Sequence, residues 1–197
     1  RETLEATIAE SDQLIRTFNA ILMISRLEAG NSAEPTTQVD LAEAVRDVVE
    51  LYEPLAEENG VRITVDTMQP TPIAGNRELI GQALSNIVDN AIKYSAGGAG
   101  GPRTDVSLGR TADEIVLTVR DNGPGIARAD RSRIFEKFYR GRQAGLNQSG
   151  AGLGLAISRQ IVARMNGTLE LVDGTKRGAC FRVTLPLLTE TETAATA

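Results

Sequence analysis

Leu84-Ser85-Asn86-Ile87-Val88-Asp89-Asn90-Ala91-Ile92-Lys93-Tyr94-Ser95 is the stretch on which the reading turns. Asn86, Asn90 and Lys93 are spaced i, i+4 and i+7. At ~100° per residue they share an arc of roughly 60° on one helix face. Ile80, Ala83, Leu84, Ile87, Val88 and Ala91 largely take the other side. One stripe is set for burial, and the other presents two amides and an ammonium. Alone, such a stripe is most simply a hydrated helix face. The functional alternative is a nucleotide site, because an Asn carbonyl oxygen is a hard neutral ligand for Mg²⁺ and a Lys is a point charge for phosphate.

Two glycine clusters downstream bear on that choice. Asp121-Asn122-Gly123-Pro124-Gly125-Ile126 follows a strand pattern ending near Val119. Its glycines allow a tight turn and close backbone approach, and Asp121 can accept a hydrogen bond from an exocyclic amine such as that of adenine. The same string is also a good β-turn. Gly150-Ala151-Gly152-Leu153-Gly154-Leu155 opens a helix running from about Gly152 to Met165. Backbone N–H groups at a helix start are anion donors, and small residues let phosphates reach them. No Gly-Lys-Ser/Thr follows, so this is not a Walker loop. No clear parallel strand feeds it, so a dinucleotide fingerprint is a poor fit. Between the clusters lies Ile134-Phe135-Glu136-Lys137-Phe138-Tyr139-Arg140, where Phe135 and Phe138 are expected to anchor a loop with a short helical piece.

Outward from these motifs, residues 1–29 read as one long helix. Leu4, Ile8, Ser11, Ile15, Phe18, Leu22, Ser25 and Ala29 keep a heptad seam, with Leu14, Ile21, Ile24 and Leu27 beside it. So wide an apolar face needs partner helices. Residues 31–38 read as a linker. A helix over Leu41–Glu58 starts at Asp40 as N-cap and stops at Gly60. Val61, Ile63 and Val65 alternate as a half-buried strand does. Asn76 is placed to cap the third helix, which runs to about Tyr94. Strands follow at Val106–Leu108, Ile115–Val119, Thr168–Val172 and Cys180–Leu185, the last pair joined by a turn at Asp173-Gly174. The Thr- and Ala-rich stretch 189–197 reads as a disordered tail. The fold expected is α+β: a two-layer sandwich of a mixed, mostly antiparallel sheet with helices on one face, preceded by a long bundle-forming helix.

Composition narrows the function. The 197 residues carry a net charge of −5, against general nucleic-acid binding. Lys and Arg do gather locally between Arg128 and Arg142. The chain contains no histidine, which removes His acid/base chemistry, Ser-His-Asp triads and His metal sites from it. Cys180, the one cysteine, lies in an apolar run and reads as a buried, inert thiol. No run of about 18 apolar residues is present. Arg1 stands where a full-length chain would have Met, inside a helical pattern, so the expectation is a piece of a longer protein.

Taken in order, the motifs resemble the catalytic domain of bacterial sensor histidine kinases, within the wider superfamily that includes gyrase, Hsp90 and MutL. The asparagine box is Leu84–Ser95, the first glycine box Asp121–Ile126, the phenylalanine box Ile134–Arg140 and the second glycine box Gly150–Leu155. The helix ending Ser25-Arg26-Leu27-Glu28-Ala29-Gly30 is similar to the second helix of the family's dimerisation and phosphotransfer domain. The resemblance implies the boundaries 1–30 for that helix, 31–38 for the linker and 39–188 for an ATP-binding catalytic domain. It implies ATP and Mg²⁺ as cofactors, with Asn90 holding the metal. Asn86 should lie near the phosphates, Lys93 and Arg140 should contact them, and Tyr94 should pack near the nucleotide. Asp121 should bind the adenine amine, with Gly123, Gly125 and Ile126 shaping its pocket. Gly150, Gly152, Leu153 and Gly154 should offer backbone amides to the phosphates. Phe138 and Thr184 complete the expected ATP-binding set. Residues 128–151 would form a lid.

Hydrolysing branches of the superfamily place a glutamate four residues before the metal-binding asparagine, where a carboxylate can activate water. This chain has Asn86 there. An amide is no general base, which favours a kinase whose acceptor histidine lies outside these residues. The resemblance then implies a response-regulator receiver domain as partner, a homodimeric parent, and a cytoplasmic position below an inner-membrane sensor. Two alternatives stand beside it. One is a non-catalytic dimerising or docking module with a degenerate nucleotide site, against which the intact Asn90, Lys93 and Asp121 speak. The other is an anti-sigma-type serine kinase, against which the first helix speaks.

Overall fold

The computed structural model describes residues 11, 14, 15, 17–26, 37–67, 70–95, 101–141, 151–172 and 177–188. Residues 17–26 are helical (α1), as are residues 11, 14 and 15 before them. Then come β1 (Thr37–Asp40), α2 (Leu41–Glu58), β2 (Arg62–Thr67), β3 (Pro72–Gly75), α3 (Arg77–Ser95), β4 (Arg103–Arg110), β5 (Glu114–Asp121), α4 (Gly154–Arg164), β6 (Thr168–Leu171) and β7 (Cys180–Pro186).

Five strands form one sheet in the order β2-β4-β5-β7-β6. Only β2 and β4 are parallel; the other pairs are antiparallel. Register aligns one apolar row across the sheet: Leu108 opposite Leu117, and Leu117 opposite Val183, which pairs with Leu169. All four side chains are buried, and α2, α3 and α4 cover that face. The opposite face carries Ser107, Thr118, Arg182 and Glu170, the alternation expected of an antiparallel sheet with one solvated side. The two-layer α+β architecture expected from the motifs is the one observed.

The helix boundaries follow from their caps. Asp40 Oδ1 accepts from Ala42 N–H at 3.0 Å and from Thr71 N–H at 2.8 Å, so one carboxylate starts α2 and pins the approach to β3. The end of α2 is a Schellman motif, with Val61 N–H to Ala56 O (2.8 Å) and Gly60 N–H to Glu57 O (3.0 Å). Pro54 sits inside α2 on its exposed side. Asn76 Oδ1 accepts from Leu79 N–H at 2.9 Å and caps α3.

Two expectations change. The linker assigned to 31–38 ends early, because Thr37 and Gln38 already belong to β1. That strand pairs antiparallel with β3, burying Val39 opposite Ile73. Neither strand has an alternating pattern long enough to be seen alone. No regular helix forms between Arg128 and Phe138, where the described backbone is a run of turns. The α1 seam residues Ile15, Phe18 and Leu22 are exposed, whereas Ile24 beside the seam is buried against Ala83, Leu153, Ile157 and Ile161 of α3, α4 and the segment before α4. The Asp173-Gly174 turn, the tail, Leu4, Ile8, Leu27 and Ala29 lie outside the described residues. Cys180 is buried, as expected. Among the described residues no helix is long and apolar enough to cross a membrane.

Candidate nucleotide site

Between the helical layer and the loops beyond β5 lies an open cleft of about 1060 Å³. Asn86, Asp89, Asn90, Lys93 and Tyr94 of α3 form one wall, with Tyr52 and Leu55 of α2 behind them. Asp121, Gly125 and Ile126 close one end. Tyr139, Arg140 and residues 151–155 form the opposite side, and Ala20 and Met23 of α1 reach the rim.

Asp121 is the last residue of β5 and is 3% exposed. It continues the core-facing row, which is why a carboxylate stands at the end of a line of aliphatic side chains. Its Oδ1 accepts from Gly123 N–H at 2.9 Å and from Ala179 N–H at 3.2 Å. Oδ2 is left for a ligand. Burial pushes the carboxyl above the ordinary aspartate range, and the backbone donors offset part of that rise. A buried acceptor with one committed oxygen suits an amine donor of a planar base. Gly123 is dictated by close approach: a Cβ there would lie 2.0 Å from the Tyr94 carbonyl oxygen.

The polar stripe of α3 faces the cleft, but its three members are used differently. Asn90 has no hydrogen-bond partner among the described residues, so its carboxamide is open to a ligand. Asn86 Nδ2 donates to Gly154 O at 3.2 Å and to Ser158 Oγ at 3.4 Å, tying α3 to the first turn of α4. Lys93 Nζ is ion-paired with Asp89 Oδ2 at 2.5 Å. Tyr52 and Tyr94 are both raised above the usual phenol range, first by burial. The Asp89 charge adds to the rise in each, while Arg140 opposes it at Tyr94 and a Ser85 hydrogen bond opposes it at Tyr52.

The second glycine box does what an anion site requires. α4 has no side-chain cap and no acidic residue in its first turn, and its N-terminal end lines the cleft. Its first N–H groups are therefore available to phosphate. Gly152 has φ +68, and a Cβ there would lie 2.7 Å from the Tyr139 carbonyl oxygen, so only glycine fits the position.

Most expected site residues thus converge on one cleft: Asn86, Asn90, Lys93, Tyr94, Asp121, Gly125, Ile126, Arg140, Gly152, Leu153 and Gly154 line it, and Gly123 shapes it through Tyr94 and Asp121. Gly150 lies outside the described residues. Two are not brought there. Thr184 pairs with Val116 on the outer face of the sheet, five positions along β5 from Asp121, because side chains alternate and its neighbours Val183 and Leu185 take the core side. Phe138 is 59% exposed with φ +64 and does not line the cleft. Nor does it anchor the loop. Phe135 does, packed edge-on against Phe181 with ring centroids 6.4 Å apart.

Sequence comparison decides the family. The family model described as histidine kinase-, DNA gyrase B-, and HSP90-like ATPase matches residues 75–189, more than half of the chain. The chain belongs to that family. Membership carries ATP binding with it, and the match contains the polar stripe of α3, both glycine boxes and the Phe135 anchor. The chain is similar to the sensor-like histidine kinase SenX3 of Mycolicibacterium smegmatis, 32% identical over 189 residues, covering 94% of this chain and 48% of SenX3. It is also similar to the probable sensor protein PcoS of Escherichia coli, 35% identical, covering 86% of this chain and 35% of PcoS. Among solved structures, full-length ShkA in complex with AMPPNP is matched with TM-score 0.78 at 30% identity, over 96% of this chain and 39% of that one. The mycobacterial sensor histidine kinase MprB is matched with TM-score 0.66 at 27% identity, over 78% and 98%. The chain spans about half the length of SenX3, or less of the other curated relative.

Several cleft residues were not found by reading the sequence. Asp89 was legible as the i−4 ion-pair partner of Lys93. Tyr52 and Ala179 carried no signal, since one comes from the α2 face and the other acts through its backbone N–H.

Proposed function

We propose that the chain holds ATP·Mg²⁺ for transfer of the γ-phosphate to a histidine outside these residues, as the catalytic part of a two-component sensor kinase. The observation that carries the reading is the commitment of Asn86. The position where the hydrolysing branches carry a base holds an amide already bonded to Gly154 and Ser158. The other described carboxylates on the cleft are engaged too: Asp89 with Lys93, Asp121 with two backbone amides, and Asp130 with Tyr139. Each of them already has a protein partner, and the open oxygen of Asp121 is assigned to the adenine amine and not to water.

The residues do the rest by position and charge. Asp121 accepts from the adenine amine. The α4 amides, Lys93 and Arg140 face the polyphosphate and stabilise the charge that spreads over the transferred group. Asn90 fits Mg²⁺, because its carboxamide lines the cleft with no hydrogen-bond partner among the described residues. When bound, the metal neutralises charge on the phosphate oxygens. The nucleophile would be an imidazole nitrogen, so the chain alone takes no phosphate on histidine. A receiver domain as the next acceptor, a homodimeric parent with α1 in its helical bundle, and anchoring beneath a membrane sensor belong to the same reading.

Incubation with γ-labelled ATP tests it. Label should stay on nucleotide, with slow release of phosphate, and should move to a histidine-bearing helix supplied in trans. Stable label on this chain alone, or turnover matching a dedicated ATPase, would contradict the proposal.

A further inference from the structure

Asp130 is 6% exposed, and no basic side chain pairs with it among the described residues. A buried carboxylate is costly unless its hydrogen bonds are used. The bond this carboxylate makes is from the Tyr139 hydroxyl to Asp130 Oδ1, at 2.7 Å. The Asp130 main-chain carbonyl separately accepts from Arg133 and Ile134 N–H at 2.9 and 3.1 Å, which shapes the turn. A Cβ at Gly141 would come within 3.2 Å of Asp130 Oδ2, so the chain beyond Arg140 passes directly over the same carboxylate.

Tyr139 is held from three further sides. The Arg133 guanidinium lies 4.3 Å from its ring centroid. Its carbonyl oxygen abuts Gly152, and Phe138 N–H donates to Gly152 O at 2.9 Å. The residue before it, Phe138, adopts the left-handed conformation, which an aromatic side chain takes only when its surroundings impose it. The effect is to send Phe138 outward while Tyr139 and Arg140 line the cleft. Tyr139 thereby joins the loop after the first glycine box to the start of the second.

We infer that Asp130 and Tyr139 form a clasp that positions Arg140 toward the phosphates, a positioning role and not a catalytic one. The inference rests on the ATP reading of the cleft; it adds Asp130, which lies in none of the motifs, and a positioning role for Tyr139 of the phenylalanine box.

The test is calorimetric titration of the 197-residue chain with ATP·Mg²⁺ and, separately, with adenosine. Tyr139→Phe removes the hydroxyl bond and keeps the ring. It should weaken ATP·Mg²⁺ about tenfold and leave adenosine binding, which depends on Asp121, within about twofold. In an Arg140→Ala background the same change should cost less than about twofold more, because the residue being positioned is gone. Asp130→Asn keeps an acceptor for Tyr139 and should bind ATP·Mg²⁺ like wild type, whereas Asp130→Ala should match Tyr139→Phe. Equal losses for adenosine and ATP, or additive losses with Arg140→Ala, would overturn the clasp. A wild-type chain that binds neither ligand would instead overturn the ATP reading, and the clasp with it.

Discussion

Replacing Asp121 by Asn should weaken nucleotide binding while stabilising the empty protein. The side chain is 3% exposed, and its bonds from the Gly123 and Ala179 amides both fall on Oδ1. Asn can keep those two acceptor bonds with its carbonyl oxygen. Its NH₂ then takes the place of Oδ2 and faces the adenine amine, donor against donor. A charge-assisted hydrogen bond is worth about 1.5–3 kcal/mol, and the leftover buried donor adds to its loss. The sum, about 3 kcal/mol, corresponds to roughly 100-fold weaker binding. The stability effect has the opposite sign. Burial raises the Asp121 pKa in the fold, so the folded protein holds this proton more readily than the unfolded chain. Stability from this group is full below the unfolded value and declines as pH rises through the raised folded one. Asn carries no charge to desolvate. Its gain in Tm over wild type should be largest at neutral pH and should vanish as pH falls into the ordinary aspartate range. Titration calorimetry with ATP·Mg²⁺ and thermal unfolding at neutral and mildly acidic pH measure both effects. Binding within about threefold of wild type, or a variant less stable at neutral pH, would refute the reasoning.

Three further outcomes are expected. Asn90→Ala should abolish the Mg²⁺-dependent part of ATP affinity and leave stability within about 0.5 kcal/mol of wild type by denaturant titration, because the amide has no partner to lose among the described residues. Gly152→Ala should cost about 1–3 kcal/mol in thermal unfolding and also weaken ATP, since the new methyl meets backbone at 2.7 Å with φ +68. Phe135→Ala should destabilise the domain by about 2–4 kcal/mol through loss of the Phe181 contact, whereas Phe138→Gly should be neutral or stabilising by about 1 kcal/mol, because it relieves a left-handed aromatic residue that is 59% exposed. Paired urea titrations distinguish the two phenylalanines.

The contrast between Phe135 and Phe138 shows where local patterns stop being informative. Spacing i, i+3 put both on one face of an expected helix. The chain forms turns there instead, and a single left-handed residue redirects the backbone beyond it. Thr184 was expected from the resemblance alone, and the structure sets it on the outer face of the sheet opposite Val116. The limit of local patterns applied also to β1 and β3, each four residues long and each stabilised by the other.

The sequence by itself determined the elements whose periods are long and whose caps are local. The α2 range, the Asp40 and Asn76 caps, the polar stripe of α3 and both glycine boxes follow from residue order, because helix geometry and N–H capping act within a few residues. Asn86 in place of a carboxylate was equally legible. Tertiary structure alone decided how each group is used. It tied Asn86 to α4 and set the backbone N–H of Ala179 on Asp121, 58 residues away. These contacts depend on sheet register and layer packing, which bring together segments that no local pattern links.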